Sequence, residues 1–310
     1  MTHTNLKVCS RSDASRLWLP TEIVEEIIHS LWYNTGLSSN ERLGIFCALR
    51  LVNYTWWQIF MRFACRDVYI PSPTFAEYYL RHLNTQVQDK SCRSITFRVE
   101  PSLGRRKSNL KTGEENAKAI STVLYNAELF DYLPSLRRVT IEYVNTDLHD
   151  LHDQARLISM PKEVTHLEIK YTSASEECYD KMIFPDRTQL PGITKLTLVG
   201  IPALELPVLV GLCPNVEELV IEDLMDSYPP QLSKIIPDYM IHFPGLAGAS
   251  ATRLALHVMF TCAENFGDNV GTKKSIRLCS SDIDYKDPEY KEIQELCRRY
   301  NVSLSLFPSS

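Results

Sequence analysis

The sequence predicts an α/β protein, with a small three-helix domain followed by an irregular solenoid of alternating strand and helix units. Two observations carry this. A six-residue template (apolar, two polar, apolar, one mostly polar, apolar) recurs between residues 92 and 278 of the 310-residue chain. Ahead of it, three short amphipathic segments fill about the first seventy residues.

The helical segments come first. Leu19-Pro20-Thr21-Glu22 opens a helix, with proline suited to a first turn and Glu22, Glu25 and Glu26 near the positive end of the helix dipole. Ile23, Ile27 and Leu31 fall at i, i+4 and i+8, and Val24 and Ile28 widen that stripe. Gly36 is expected to end it. Ser38-Ser-Asn-Glu41 has capping-box spacing and begins a second helix through Leu43, Phe46, Cys47 and Leu49. Val52, Trp56, Ile59, Phe60 and Phe63 make a third apolar group. Residues 1–16 are expected to be a flexible lead, 17–66 the helical domain and 67–310 the solenoid.

The strand template is clearest at Leu136–Ile141, Val164–Ile169, Ile193–Leu198 and Val216–Ile221, each with a proline just upstream. Weaker copies start at Cys92, Ala251 and Lys273, and successive copies lie 22 to 44 residues apart. Apolar–polar alternation within each copy is a strand signal. Between copies, Thr74–Glu77 and Thr112–Glu115 read as capping boxes, the first before Tyr78, Leu80 and Leu83, the second before Ala119, Val123, Leu124 and Leu129. Residues 147–159 and 288–300 also fit helices. A unit of that size cannot bury its own apolar face, so stacking of neighbours makes the core. An ordinary α/β domain of parallel βαβ units is the alternative.

Composition bounds the function. With 33 Lys+Arg against 38 Asp+Glu the net charge is −5, so no broad basic face for nucleic acid or anionic membrane is implied. The 44% hydrophobic content is too high for a disordered chain. Eleven glycines, none clustered, supply no phosphate-cradling loop. The first residues lack a signal peptide's apolar core, and the most apolar stretch, Ile201 to Cys213, is cut by Pro202, Glu205 and Pro207. Nine singly scattered cysteines read as reduced thiols, with Cys47, Cys178, Cys213 and Cys279 as small core residues. A cytoplasmic or nuclear protein that binds no membrane and no nucleic acid is the expectation.

Chemistry-bearing clusters are few. His149 and His152, three apart and flanked by Asp147 and Asp153, are the best metal candidate, but a solvated helix face explains them better. Arg105-Arg106-Lys107 with Lys111 reads as a solvated loop. No H-E-x-x-H, G-x-S-x-G or Walker motif occurs, so no catalytic group, metal or cofactor is assigned and the chain is read as non-enzymatic.

The order Leu-Pro-x-Glu, an Ile/Leu-rich helix, then Leu49-Arg-Leu-Val-Asn-Tyr-Thr-Trp56 resembles an F-box. It departs from that family in a long polar insert, Asn34 to Arg42. The resemblance implies that Leu19, Pro20, Glu22, Ile23, Ile27, Ile28, Leu31, Leu49, Val52 and Trp56 bind a Skp-family adaptor and, through it, a cullin. The later half resembles leucine-rich repeats, without the usual Asn or Cys eight residues after the first apolar position, where Val144, Thr172, Ile201 and Leu224 stand. Together the two halves are similar to basidiomycete-type F-box proteins. They imply the substrate-recognition subunit of a cullin-RING ubiquitin ligase that holds a target protein on its repeats. The alternatives are a repeat scaffold with a helical cap and no ligase role, and, more distantly, a hydrolase-like enzyme.

Strand alternation then locates the target surface. Thr140, Glu142, Glu168, Lys170, Thr197, Val220 and Glu222 are expected to point away from the core and to form one mostly acidic patch. Tyr143 and Tyr171 follow the strand cores and are either rim residues of the core or, at the edge of the patch, packing groups for a target with Lys or Arg near its recognition segment.

Overall fold

A computed structural model describes residues 19–34, 37, 39–85, 91–100, 109–144, 160–172, 189–201, 206–222, 274–280 and 288–308. The chain divides into two compact units, Met1–Ala64 and Cys65–Ser310. The N-terminal lead, the His149/His152 pair, the Arg105–Lys107 cluster, the 147–159 helix, the strand copy at Ala251 and Cys178 all lie outside the described residues.

The first unit is built on α1 (Thr21–Trp32), α2 (Ser39–Val52) and α3 (Tyr54–Arg66). Pro20 is the N-cap of α1 and not a residue of its first turn; its carbonyl accepts from Ile23 and Val24 N–H. Val24, Ile28 and Trp32, at i, i+4 and i+8, are the buried stripe of α1. Against them pack Leu49 of α2 and Ile59 and Phe60 of α3, with Phe60 edge-on to Trp32 at 5.1 Å and to Phe46 at 5.5 Å between ring centroids. The Arg42 guanidinium is buried and donates to the carbonyls of Trp32 and Asn34, so a side chain from α2 closes the C-terminal end of α1. Asn53 caps α3, its Oδ1 accepting from Trp56 N–H at 3.0 Å.

The second unit is an open sheet of eight strands, all parallel and in sequence order. They are β1 (Asp67–Ile70), β2 (Ser94–Val99), β3 (Arg138–Val144), β4 (His166–Thr172), β5 (Lys195–Val199), β6 (Glu218–Glu222), β7 (Lys274–Ser280) and β8 (Val302–Pro308). The four clear template copies are β3 to β6, and the copies at Cys92 and Lys273 are β2 and β7. β1 and β8 carry no copy of the template.

The described helices are α4 (Pro73–Thr85), α5 (Asn109–Leu129), α6 (Leu206–Leu212) and α7 (Pro288–Arg299). Two capping expectations are corrected. Ser72 caps α4, its Oγ accepting from Phe75 N–H at 3.3 Å, with Pro73 in the first turn, where no N–H is needed. α5 begins at Asn109, so Thr112–Glu115 lies inside the helix, and Leu129 near its end is exposed.

One face of the sheet makes the core. Val68, Ile95, Val139, Leu167, Leu196, Leu219 and Ile276 stand in one cross-strand row, and Ile70, Phe97, Ile141, Ile169, Leu198, Ile221 and Leu278 in the next. The buried side chains of α4 to α7 join the same core, so all four helices pack on that face. Tyr143 and Tyr171 share the parity of Ile141 and Ile169 and are buried there. That decides for the core and against the recognition edge: residues two apart on a strand point the same way.

The turns repeat as well. Leu136, Val164, Ile193 and Val216 N–H groups each bond the carbonyl three residues back. Pro134, Pro191 and Pro214 occupy the second position of these turns, where a fixed φ is favourable. Immediately before the strands a second motif recurs. The carbonyls of Arg93, Arg137, Thr165 and Thr194 each accept from two successive N–H groups of the next unit, at 2.8–3.2 Å. This ladder satisfies backbone groups where each strand begins, at the opposite end of the strands from Val144, Thr172 and Ile201.

Candidate functional site

Each unit presents one surface that its own core does not use. On the first, the buried stripe Val24–Ile28–Trp32 leaves a second apolar stripe on α1. Leu19, Ile23, Ile27 and Leu31 recur at four-residue spacing, with Leu19 50% and Ile23 42% exposed and the other two half-buried. Pro20, Glu22 and Val52 are exposed, Trp56 is half-buried, and Leu43, Leu51 and Tyr54 add further exposed apolar area. These apolar side chains are left exposed or half-buried by the described core of the unit. Ile28 and Leu49 are corrected: both are buried, so they shape the unit from inside and cannot touch a partner.

On the second unit the surface is the sheet face opposite the helices, where side chains fall in three rows. The first reads Asp67, Ser94, Arg138, His166, Lys195, Glu218, Ser275 and Ser303; the second Tyr69, Thr96, Thr140, Glu168, Thr197, Val220, Arg277 and Ser305. The third includes Arg98, Glu142, Lys170, Val199 and Glu222. All seven residues expected at the target surface lie on this face.

Two corrections follow. Thr140, Thr197 and Val220 are only 2%, 6% and 5% exposed, because longer side chains of flanking rows and neighbouring strands close over them. Nor is the face acidic. Arg98, Arg138, Lys170, Lys195 and Arg277 offset Asp67, Glu142, Glu168, Glu218 and Glu222. The missed basic residues were readable: Arg138, His166 and Lys195 each directly precede a core residue and therefore point to the opposite face.

These charges are mutually engaged. Lys170 Nζ lies 3.5 Å from Glu168 and 3.9 Å from Glu142, and Lys195 Nζ lies 3.0 Å from Glu218. Thr140 donates to Glu168 at 2.8 Å, and Tyr69 to Glu142 at 3.4 Å. His166 Nε2 and Thr197 Oγ1 are 3.0 Å apart. Burial lowers His166 from 6.5 to about 4, with Lys195 and Arg138 adding to the shift and Glu168 and Glu218 opposing it, so the ring is neutral near pH 7. Accessibility rises toward the last strands: the Glu168 side chain is 14% exposed, Lys195 35% and Arg277 50%.

No catalytic arrangement emerges among the described residues. Cys92, Cys213 and Cys297 are buried, and burial pushes the Cys213 and Cys297 thiols up to about 12, so both stay protonated. Cys47, expected in the core, is exposed on α2. No described group of His, Cys, Asp and Glu is arranged to hold a metal ion, and no described helix is long and apolar enough to cross a membrane. In comparison with known proteins, no protein family matches the chain, no characterised protein matches its sequence, and no solved structure matches its fold.

Proposed function

We propose that the protein is the substrate-recognition subunit of a cullin-RING ubiquitin ligase, its first unit an F-box-like adaptor module and its second an irregular leucine-rich-repeat-like receptor. The observation that carries the reading is the second apolar stripe of α1. Leu19, Ile23, Ile27 and Leu31 are surplus to the unit's own core and sit behind the Leu-Pro start that resembles an F-box. A helix that served only as a cap would need one apolar stripe. The second unit supports the receptor half. Parallel strands in sequence order, with the described helices of this unit, α4 to α7, on one face, suit a stacked solenoid, and the recurring carbonyl ladder supports a repeat in the backbone itself. On this reading the opposite face, which carries none of the described helices of this unit, holds the target, and ubiquitin transfer belongs to other subunits.

Affinity purification followed by mass spectrometry tests the adaptor half. The wild-type chain is expected to bring down a Skp-family adaptor and a cullin. Replacing Leu19 and Pro20 together with Ala should abolish that capture with circular dichroism and melting temperature unchanged. A folded wild-type chain that binds no adaptor refutes the ligase role and leaves a repeat scaffold. Unfolding of the double variant would mean that this stripe serves the fold.

A further inference from the structure

The sheet's two edges differ. β1 has four residues and carries Asp67, so it is short and charged, two devices that discourage strand addition. β8 has seven residues, Val-Ser-Leu-Ser-Leu-Phe-Pro, with no charge before its terminal proline. Its one strand neighbour is β7, and no further strand lies beyond it among the described residues. The core rows are also unfinished there. Ile276 and Leu278 of β7 are buried, whereas their register partners Leu304 and Leu306 remain half-buried.

We propose that β8 pairs antiparallel with β8 of a second copy of this chain, about a two-fold axis at Ser305, joining two sheets into one. The strand is self-complementary in that register. Leu304 of each copy lies opposite Leu306 of the other on the core face, and Ser305 lies opposite Ser305 on the polar face. The contact is isologous, so it closes at two copies and does not propagate. Both leucine rows then gain the neighbour they lack, which provides the driving force.

The seam itself does not oppose a second copy. Each chain carries a net −5, but β8 is uncharged, so no like charges meet across the axis. Beside it α7, which packs on β8 through Ile293, Leu296 and Cys297, exposes Lys291, Glu292, Glu295, Arg298 and Arg299. Two such helices related by the axis bring mixed signs against mixed signs. The inference does not depend on the ligase reading.

Sedimentation equilibrium on the full chain provides the test, with a mass near twice 35.6 kDa expected, falling to one chain on dilution. Ser305 is exposed, so Ser305→Lys and Ser305→Glu leave the core untouched. Each alone sets like charges directly opposite across the axis and should halve the observed mass. Mixing the two variants should restore a dimer, and only of the mixed kind. Ser305→Cys gives a second measurement: opposed residues in an antiparallel pair lie about 4.5–5.5 Å apart, within disulfide reach, so mild oxidation should link position 305 of two copies. A wild-type monomer at all concentrations overturns the proposal. So does a dimer that both charge variants leave intact, a mixture that stays monomeric, or a link that fails to form at position 305. A complex with some other protein on this edge, without self-association, would also overturn it.

Discussion

Leu219→Ala probes the stacked-row architecture most directly. Leu219 is fully buried and lies in register between Leu196 of β5 and Ile276 of β7, both also fully buried. Truncation removes three carbons, worth about 2–2.5 kcal/mol at ~0.8 kcal/mol for each buried CH₂. A cavity term adds to this, since strands tied on both sides cannot close the gap, and the total should be about 3–4 kcal/mol. For a unit of this size, with about 2–4 °C lost per kcal/mol, the melting temperature should fall by roughly 6–16 °C. Urea unfolding should show a lower midpoint with unchanged slope. Glu222→Gln, on the same strand but the opposite face, should stay within about half a kcal/mol and serves as control. Leu196→Ala should cost about the same, and the double variant should depart from additivity by at least about 0.5 kcal/mol, because the two leucines are direct register partners. A loss below about half a kcal/mol for Leu219→Ala would refute the assignment of the core face.

Three further outcomes are expected. Arg42→Ala should destabilise the helical unit by about 2–3 kcal/mol in thermal unfolding, by removing the charged donor from the buried bond to the Trp32 carbonyl and the partly buried bond to the Asn34 carbonyl, and Arg42→Lys should not restore it, since an ammonium lacks the fork that reaches both. Gly200→Ala should cost more than about 2 kcal/mol by chemical denaturation, because residue 200 has φ +64° and an added Cβ would lie 2.4 Å from the Tyr171 carbonyl oxygen. For His166, whose value drops from 6.5 to about 4 on folding, the unfolded chain binds the extra proton between those limits. Stability from this group is therefore complete above pH 6.5 and declines as pH falls toward 4; His166→Gln should flatten that part of the melting-temperature profile, and the wild-type ring should titrate near 4 by NMR.

Much of the second unit was legible because a half-buried strand writes its period into the chain. β3 to β6 follow one template, and each core position in it is buried. β8 alternates Val, Leu and Leu with Ser and was legible by the same rule, but it lacks the two adjacent polar residues that define the template. β1 was hidden because four residues following α3 directly carry too little alternation to separate strand from helix. In the first unit, five apolar positions on α1 gave the helix but not its orientation. Val24 and Ile28, read as the margin of the stripe, are its buried centre, since Trp32 one turn further on packs against Phe60. Which of two adjacent stripes faces inward is decided by α2 and α3 and not by α1 itself.

The sheet face illustrates a different limit. Alternation correctly sends Thr140, Glu168 and Lys170 to one side, yet whether they meet solvent depends on residues about thirty positions away, which parallel register brings to within about 4.8 Å. Once aligned, Lys170 is shared between Glu142 and Glu168, and Thr140 is held by Glu168. A partner binding over β3 and β4 would have to displace these internal contacts, and the desolvation of charges so engaged offsets most of the gain. Over β5 to β7 the balance differs. Lys195 and Arg277 flank Glu218, both are more exposed, and Arg277 lies over the Phe307 ring at 5.3 Å to its centroid. An accessible arginine backed by an aromatic ring is the kind of group that dominates recognition energy. On the proposed receptor reading, the target's anchor therefore belongs at the β7 end of the sheet, with the charge network of β3 and β4 holding that face rigid beside it.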